Sequence, residues 1–226
     1  DAFWNTFWNL NQLWALATPD IMNKWVESLL EYYRVGGWLP NGPPGVEYCD
    51  IMGAQHEIPL MVSAYQKGIR NYDVDKAYEA VKKTLTTQGT ALSSGGIVGN
   101  RHLDVYLKYG FVPYGEKSHH NVFGTTYEGP PSNTLEYAFD DWNAAQFAKA
   151  LGYEDDYDYF TRRAYNYKNV FDSETKYVRP KYSDGTWMPD FEPINKDEHS
   201  TSWSWLGSGF VEGNSWQYTW MVPHDM

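Results

Sequence analysis

Apolar positions along this chain recur mostly with a helical period. Between Thr18 and Gly37, Ile21, Trp25, Leu29 and Tyr32 fall on one helical face. Thr18-Pro19-Asp20 supplies a helix start and Gly36-Gly37 a stop. A further helix is expected from His56 to Pro59 onward through Val62, Tyr65 and Ile69. Asp73 caps another, which carries Val74, Ala77, Tyr78, Val81 and Leu85 on one side. A short helix covers Leu103 to Tyr109, and two long ones run from about Thr134 to Leu151 and from about Asp156 to Val170. Pro40 to Gly45 and Ser93 to Gly96 read as loops, and residues 112–131 read as irregular. The one β signal is a hairpin over residues 176–189 that turns at Asp184-Gly185. A last helical stretch is expected from Gly213 to Trp220. Paired helices with long loops between alternate pairs predict an all-α fold, an (α/α)6 toroid-type helical barrel, incomplete at this length, ahead of an ordinary helix bundle. In such a barrel, helix ends and loops line a central pocket.

Composition narrows the function. The net charge of -11 and the pI near 4.9 disfavour nucleic acid and anionic membranes as partners. No apolar run is long enough to span a bilayer, and the first residues lack the basic and apolar regions of a signal peptide. Cys49 is the only cysteine, which excludes an intrachain disulfide and a cysteine-based zinc site. His56-Glu57 lacks the second histidine of a zinc helix, and His119-His120 reads as a loop pair. The 11 Trp, 19 Tyr and 10 Phe form 18% of the chain, enough to serve both a core and a sugar-stacking surface.

The stretch Thr134-Leu135-Glu136-Tyr137-Ala138-Phe139-Asp140-Asp141-Trp142 carries the most chemistry. At roughly 100° per residue, Asp140, Ala144, Phe147 and Leu151 continue the face that Glu136 begins. The apolar end of that stripe must face a core, so its carboxylates point inward as well. Asp140 or Asp141 suits an ion pair with Arg162 or Arg163, or a cap on a neighbouring helix. Glu136, partly desolvated, suits a general acid for a glycosidic oxygen, because burial raises a carboxyl pKa. Near the end of the chain, Glu212-Gly213-Asn214-Ser215-Trp216-Gln217-Tyr218 gathers a carboxylate and two amide oxygens around a glycine, hard donors that suit calcium. The same stretch also suits a solvated helix start.

These segments taken in order resemble glycoside hydrolase family 92. The resemblance is carried by Phe3-Trp4-Asn5-Thr6-Phe7, Gly36-Gly37-Trp38-Leu39-Pro40, Ala64-Tyr65-Gln66-Lys67-Gly68-Ile69, Tyr109-Gly110-Phe111-Val112-Pro113, Thr134 to Trp142, and Glu212 to Gln217 with Pro223-His224-Asp225. It implies a bacterial, calcium-dependent, inverting exo-α-mannosidase acting on a mannose-containing oligosaccharide or N-glycan, most readily an α-1,2 linkage, in the periplasm or outside the cell. It implies Glu136 as general acid; Trp4, Asn5, Glu212, Trp216 and His224 at the substrate; and Asn214 and Gln217 at calcium.

The chain departs from the family in three places. Asn5 stands where many members have Asp. The family's N-terminal β-sandwich domain has no counterpart here, and neither does its later base-bearing segment. Residues 1–226 are therefore expected to be part of the helical catalytic domain, with the rest of the same enzyme packed against them. Two other readings stay open: a noncatalytic carbohydrate-binding relic, and a toroidal glycosidase for another sugar.

Overall fold

The computed structural model describes residues 3–42, 48, 53–93, 96–115, 130–194 and 209–226. Cys49, His119, His120 and most of the irregular 112–131 stretch lie outside those residues. Eight α-helices are present among the described residues: α1 (Leu10–Ala17), α2 (Pro19–Gly36), α3 (Glu57–Gln66), α4 (Val74–Thr86), α5 (Leu103–Tyr109), α6 (Pro130–Leu151), α7 (Glu154–Ala164) and α8 (Ser215–Tyr218). Two antiparallel pairs of two-residue strands accompany them: β1 (Thr90–Ala91) with β2 (Ile97–Val98), and β3 (Phe171–Asp172) with β4 (Tyr177–Val178). No helix among the described residues is long and apolar enough to cross a membrane.

The helix boundaries follow local chemistry. Pro19 opens α2, and Gly37 closes it at φ 78°, where a side chain is disfavoured. Thr18 occupies the N-cap position without a side-chain cap; its hydroxyl points back to the Trp14 carbonyl at 3.5 Å. Asp73 does cap α4, accepting from the Lys76 amide at 2.9 Å. The helix expected over residues 156–170 is shorter than that. It ends at Ala164 and continues as a 3₁₀ turn, Asn166–Val170, drawn toward α5 by the Asn169 amide, which donates to the Gly110 carbonyl at 2.8 Å. The expected hairpin is shifted. Its paired strands are β3 and β4, and the Asp184-Gly185 turn survives with a single bridge between Lys181 and Trp187.

Helix α6 organises the fold by packing against α3, α4 and α7. It is buried on nearly every side, including Glu136, Asp140 and Asp141. One core lies between α2, α3, α4, α6 and α7, with Met22, Leu29, Ile58, Met61, Val81, Leu85, Phe147 and Phe160 fully covered. A second joins Phe7, Leu135, Phe139, Phe210, Tyr218 and Met221. This second core ties the N-terminal turn and α8 to the early part of α6, so three distant stretches of chain meet around Glu136.

Candidate active site

A cavity of about 260 Å³ opens where those stretches meet, lined by Trp4, Asn5, Trp8, Glu136, Glu212, Gly213, Gln217, Tyr218 and Met221. It lies at the small end of ligand cavities, a size for one sugar ring. Two of its residues hold left-handed backbone, Asn5 at φ 73° and Glu212 at φ 47°. Asn tolerates that conformation; Glu does so only under strain, and such strain gathers at functional sites. The turn at Asn5 swings Trp4 across α6, and the turn at Glu212 leads into α8.

Glu136 is the buried carboxyl of this cavity, 3% exposed. The indole N–H of Trp4 donates to its Oε1 and Oε2 at 3.0 and 2.8 Å. The Tyr218 hydroxyl reaches Oε1 at 3.2 Å and the Val211 carbonyl at 2.8 Å, so its one proton is shared between two acceptors. Burial pushes the Glu136 carboxyl up to about 8, against the opposing pull of the Trp4 and Tyr218 hydrogen bonds. At neutral pH it holds a proton, as a general acid must.

Behind Glu136 the walls are polar and closed. His56 stands at the start of α3 with Nε2 3.6 Å from Glu136 Oε2 and 3.9 Å from Asp140 Oδ1. Burial drives its imidazole down to about 3, so it is neutral. Asp140 Oδ2 accepts from the Gln55 amide at 2.8 Å, and burial beside Glu57, Glu136 and Asp141 pushes its carboxyl up. Asp141 takes the ion pair expected of it, with Arg163 at 2.7 Å, and accepts from the Tyr106 hydroxyl at 2.8 Å. The Gly53 backbone leaves the space beside this group: a β-carbon there would lie 3.0 Å from Asn133 Oδ1 and 3.4 Å from Glu136 Oε2.

The model of the glycosyl hydrolase family 92 catalytic domain matches residues 1–226. The chain belongs to glycosyl hydrolase family 92. Among solved structures, it is 30% identical to the family GH92 inverting mannosidase BT2199 from Bacteroides thetaiotaomicron, with a TM-score of 0.80 over 98% of this chain and 27% of that one. It is 32% identical to the family GH92 α-mannosidase BT3965 from the same organism, solved in complex with mannoimidazole, with a TM-score of 0.76 over 98% and 26% of the two chains. The chain thus spans about a quarter of the length of these structures. No curated protein matches it. The toroid-type helical fold expected from the sequence accords with these likenesses.

Within this family 92 chain, five of the site residues expected from the sequence line the cavity: Trp4, Asn5, Glu136, Glu212 and Gln217. Three do not. Trp216 is 52% exposed and leans on Tyr177 with ring centroids 6.2 Å apart. His224 packs on Phe139, Trp142 and Tyr167, and its Nε2 lies 2.9 Å from the Ala164 carbonyl. Asn214 is the N-cap of α8 and shares a reciprocal cap with Gln217: its side chain accepts from the Gln217 amide at 3.2 Å, and Gln217 Oε1 accepts from the Asn214 amide at 3.0 Å. His56, Gly53, Trp8 and Tyr218 stand at or beside the site without having been assigned to it from the sequence.

The family implies calcium, and the fit is partial. Among the described residues no group of three or more His, Cys, Asp or Glu is placed to hold a metal ion. Gln217 brings an amide oxygen to the cavity wall and Glu212 a carboxylate, both of the hard type calcium takes. An amide oxygen has two lone pairs, so the cap uses one and leaves one for a cation. Calcium takes six to eight oxygens, roughly, so these two residues could supply only part of a calcium shell.

Proposed function

We propose that the protein carrying this chain is a glycoside hydrolase that removes terminal α-linked mannose with inversion, Glu136 serving as general acid. The observation that carries this reading is a buried carboxyl, held at both oxygens by Trp4, on the wall of a cavity sized for one sugar ring, where burial favours its protonated form. In the reaction, the Glu136 carboxyl gives its proton to the glycosidic oxygen as the bond to the anomeric carbon breaks. The leaving saccharide departs as a neutral alcohol. Trp4 and Tyr218 stay in place to hold the carboxylate that remains. Trp4 and Trp8 offer aromatic faces to the C–H face of the sugar, and Glu212 and Asn5 offer polar groups to its hydroxyls.

Gln217, with Glu212, would hold calcium. The bound ion would polarise sugar hydroxyls and favour a ring distorted toward the oxocarbenium-like transition state. The water-activating base must stand roughly 6.5–9.5 Å from the acid in an inverting enzyme. We assign it to the remainder of the catalytic polypeptide, of which residues 1–226 form part of the helical domain. Large apolar side chains left open here, Leu13, Leu16, Val35 and Trp220, suit a surface on which that remainder packs. The reading carries with it a mannose-bearing oligosaccharide or N-glycan as substrate and a periplasmic or extracellular location.

The test is release of mannose from α-1,2-mannobiose by the enzyme with calcium and with a chelator, the anomer followed by NMR. Calcium-dependent release of β-mannose is expected. Release of another sugar from a matched panel, or binding without turnover, would overturn it.

A further inference from the structure

His56 is a buried imidazole with no use assigned to it so far. It is 1% exposed, and neither ring nitrogen has a hydrogen-bond partner among the described residues. Phe7 and Phe139 stand edge-on to the ring at centroid distances of 5.0 and 6.0 Å, which fixes its plane. Its Nε2 faces two carboxyl oxygens, Glu136 Oε2 at 3.6 Å and Asp140 Oδ1 at 3.9 Å, and Asp140 Oδ1 is likewise without a partner. A buried polar atom without a partner costs free energy, so His56 Nε2 and Asp140 Oδ1, both unpartnered and 3.9 Å apart, call for a reason.

We propose that His56 is a positioning residue for the acid step, its Nε2–H donating to Glu136 Oε2 as that carboxyl gives up its proton. The inference rests on the reading of Glu136 as general acid. Of the two neutral tautomers, only the one with the proton on Nε2 can donate to the carboxylate that Glu136 becomes once its own proton has left. At 3.6 Å the contact is longer than a hydrogen bond, as expected while Glu136 is neutral. When the proton leaves for the glycosidic oxygen, the bond electrons go to that oxygen and a full negative charge stays on Glu136. The N–H···O contact then shortens, and catalytic hydrogen bonds commonly tighten only at that stage. His56 itself neither gains nor loses a proton, in keeping with burial that holds it neutral. His56 does not line the cavity and is buried, so this donor is out of reach of solvent and of the sugar.

The test compares His56→Leu with His56→Gln in the complete enzyme, on α-1,2-mannobiose and on 2,4-dinitrophenyl α-mannoside, whose leaving group departs without a proton. His56→Leu is expected to lower kcat on the disaccharide about 10- to 100-fold, the worth of one charge-assisted hydrogen bond, with KM little changed. The aryl mannoside is expected to lose less than about threefold. His56→Gln, which keeps an N–H at the same reach, restores most of the disaccharide rate. Equal losses on both substrates, or no loss on the disaccharide, overturn the proposal. Glu136→Gln runs alongside: wild-type turnover of the disaccharide in that variant removes the acid reading itself, separately from the result at His56.

Discussion

The indole of Trp4 donates to both carboxyl oxygens of Glu136, at 3.0 and 2.8 Å, across 132 residues of sequence. That single donor favours the ionised carboxyl, while burial favours the protonated one, and burial wins: the carboxyl lies at about 8. Turnover of unactivated mannosides therefore falls as pH rises through about 8, because the acid is lost. Trp4→Phe removes the donor, so the fall moves to higher pH while the rate at neutral pH drops. Glu136→Gln lowers kcat by about 10²–10⁴ with KM little changed and abolishes that limb. A pH series of kcat/KM on mannobiose checks all three, and an unshifted limb in Trp4→Phe counts against the assignment.

Gly53 controls how closely the chain ahead of α3 approaches α6. A methyl group there would meet Asn133 Oδ1 at 3.0 Å and crowd Glu136 Oε2 at 3.4 Å. Gly53→Ala is expected to cost about 1–3 kcal/mol through overpacking, chiefly by displacing the Asn133 side chain, and to lower activity as well, because the new methyl also touches Glu136. Melting curves and kcat measured on the same preparation separate the two effects.

How much of this was readable in the sequence depends on where the contacts lie. Glu136 and Asp140 share a face with Ala144 and Phe147, so their inward direction follows from period alone. The Asp184-Gly185 turn is equally local. The sequence marks His56 only as a helix start without a zinc motif and does not single out Gly53, because both meet α6 only through tertiary packing, some 80 residues before it in sequence. Period also suggested one buried face for α6, although α3, α4 and α7 cover nearly all of it. Helix α1 gave no clear start, since Asn9 makes no side-chain cap and its apolar Leu13 and Leu16 face outward. Trp216 and His224 came with the family's segments, and no local pattern could tell that their rings would sit outside the cavity.

The Asp141–Arg163 pair supports α6 from its far side. Arg163 is buried, forms an ion pair with Asp141 at 2.7 Å, and donates to Asp141 Oδ2 at 3.1 Å and to the Leu85 carbonyl at 2.9 Å. Desolvation outweighs the guanidinium, so the Asp141 carboxyl still sits at about 6. Arg163→Met leaves a buried carboxylate without its cation and is expected to cost about 3–5 kcal/mol, or about 10 °C in the melting midpoint. Adding Asp141→Asn to that variant should recover part of the loss. A double variant no more stable than Arg163→Met alone would show that the pair is not the source.

The reciprocal cap on α8 separates two roles for its amides. Asn214→Ser keeps an oxygen that can accept from the residue 217 amide, so α8 should remain stable to within about 1 kcal/mol. Gln217→Leu removes the amide oxygen that reaches the cavity wall. The calcium concentration needed for half activation is expected to rise at least about tenfold in Gln217→Leu, the worth of one lost ligand, and much less in Asn214→Ser. Calcium titrations of both variants check this. Equal shifts would mean that both act through the cap.

Glu136 and His56 also set opposite slopes on stability. Between about 4.5 and 8 the unfolded chain has lost the Glu136 proton while the folded one keeps it, so the unfolded state binds fewer protons and stability falls as pH rises. Between about 3 and 6.5 the unfolded chain carries a proton on His56 that the folded one refuses, so stability rises with pH there. Glu136→Gln removes the falling limb. Relative to wild type it should gain stability steadily from pH 5 to pH 8, with an upper bound of roughly 4 kcal/mol at about 1.4 kcal/mol per pH unit. His56→Gln removes the rising limb, so relative to wild type its stability should fall steadily from pH 4 to pH 6. Melting midpoints of the three proteins from pH 4 to pH 9 read both slopes. Parallel wild-type and Glu136→Gln curves across pH 5–8 would mean that Glu136 titrates as an ordinary carboxyl and holds no proton to give at neutral pH.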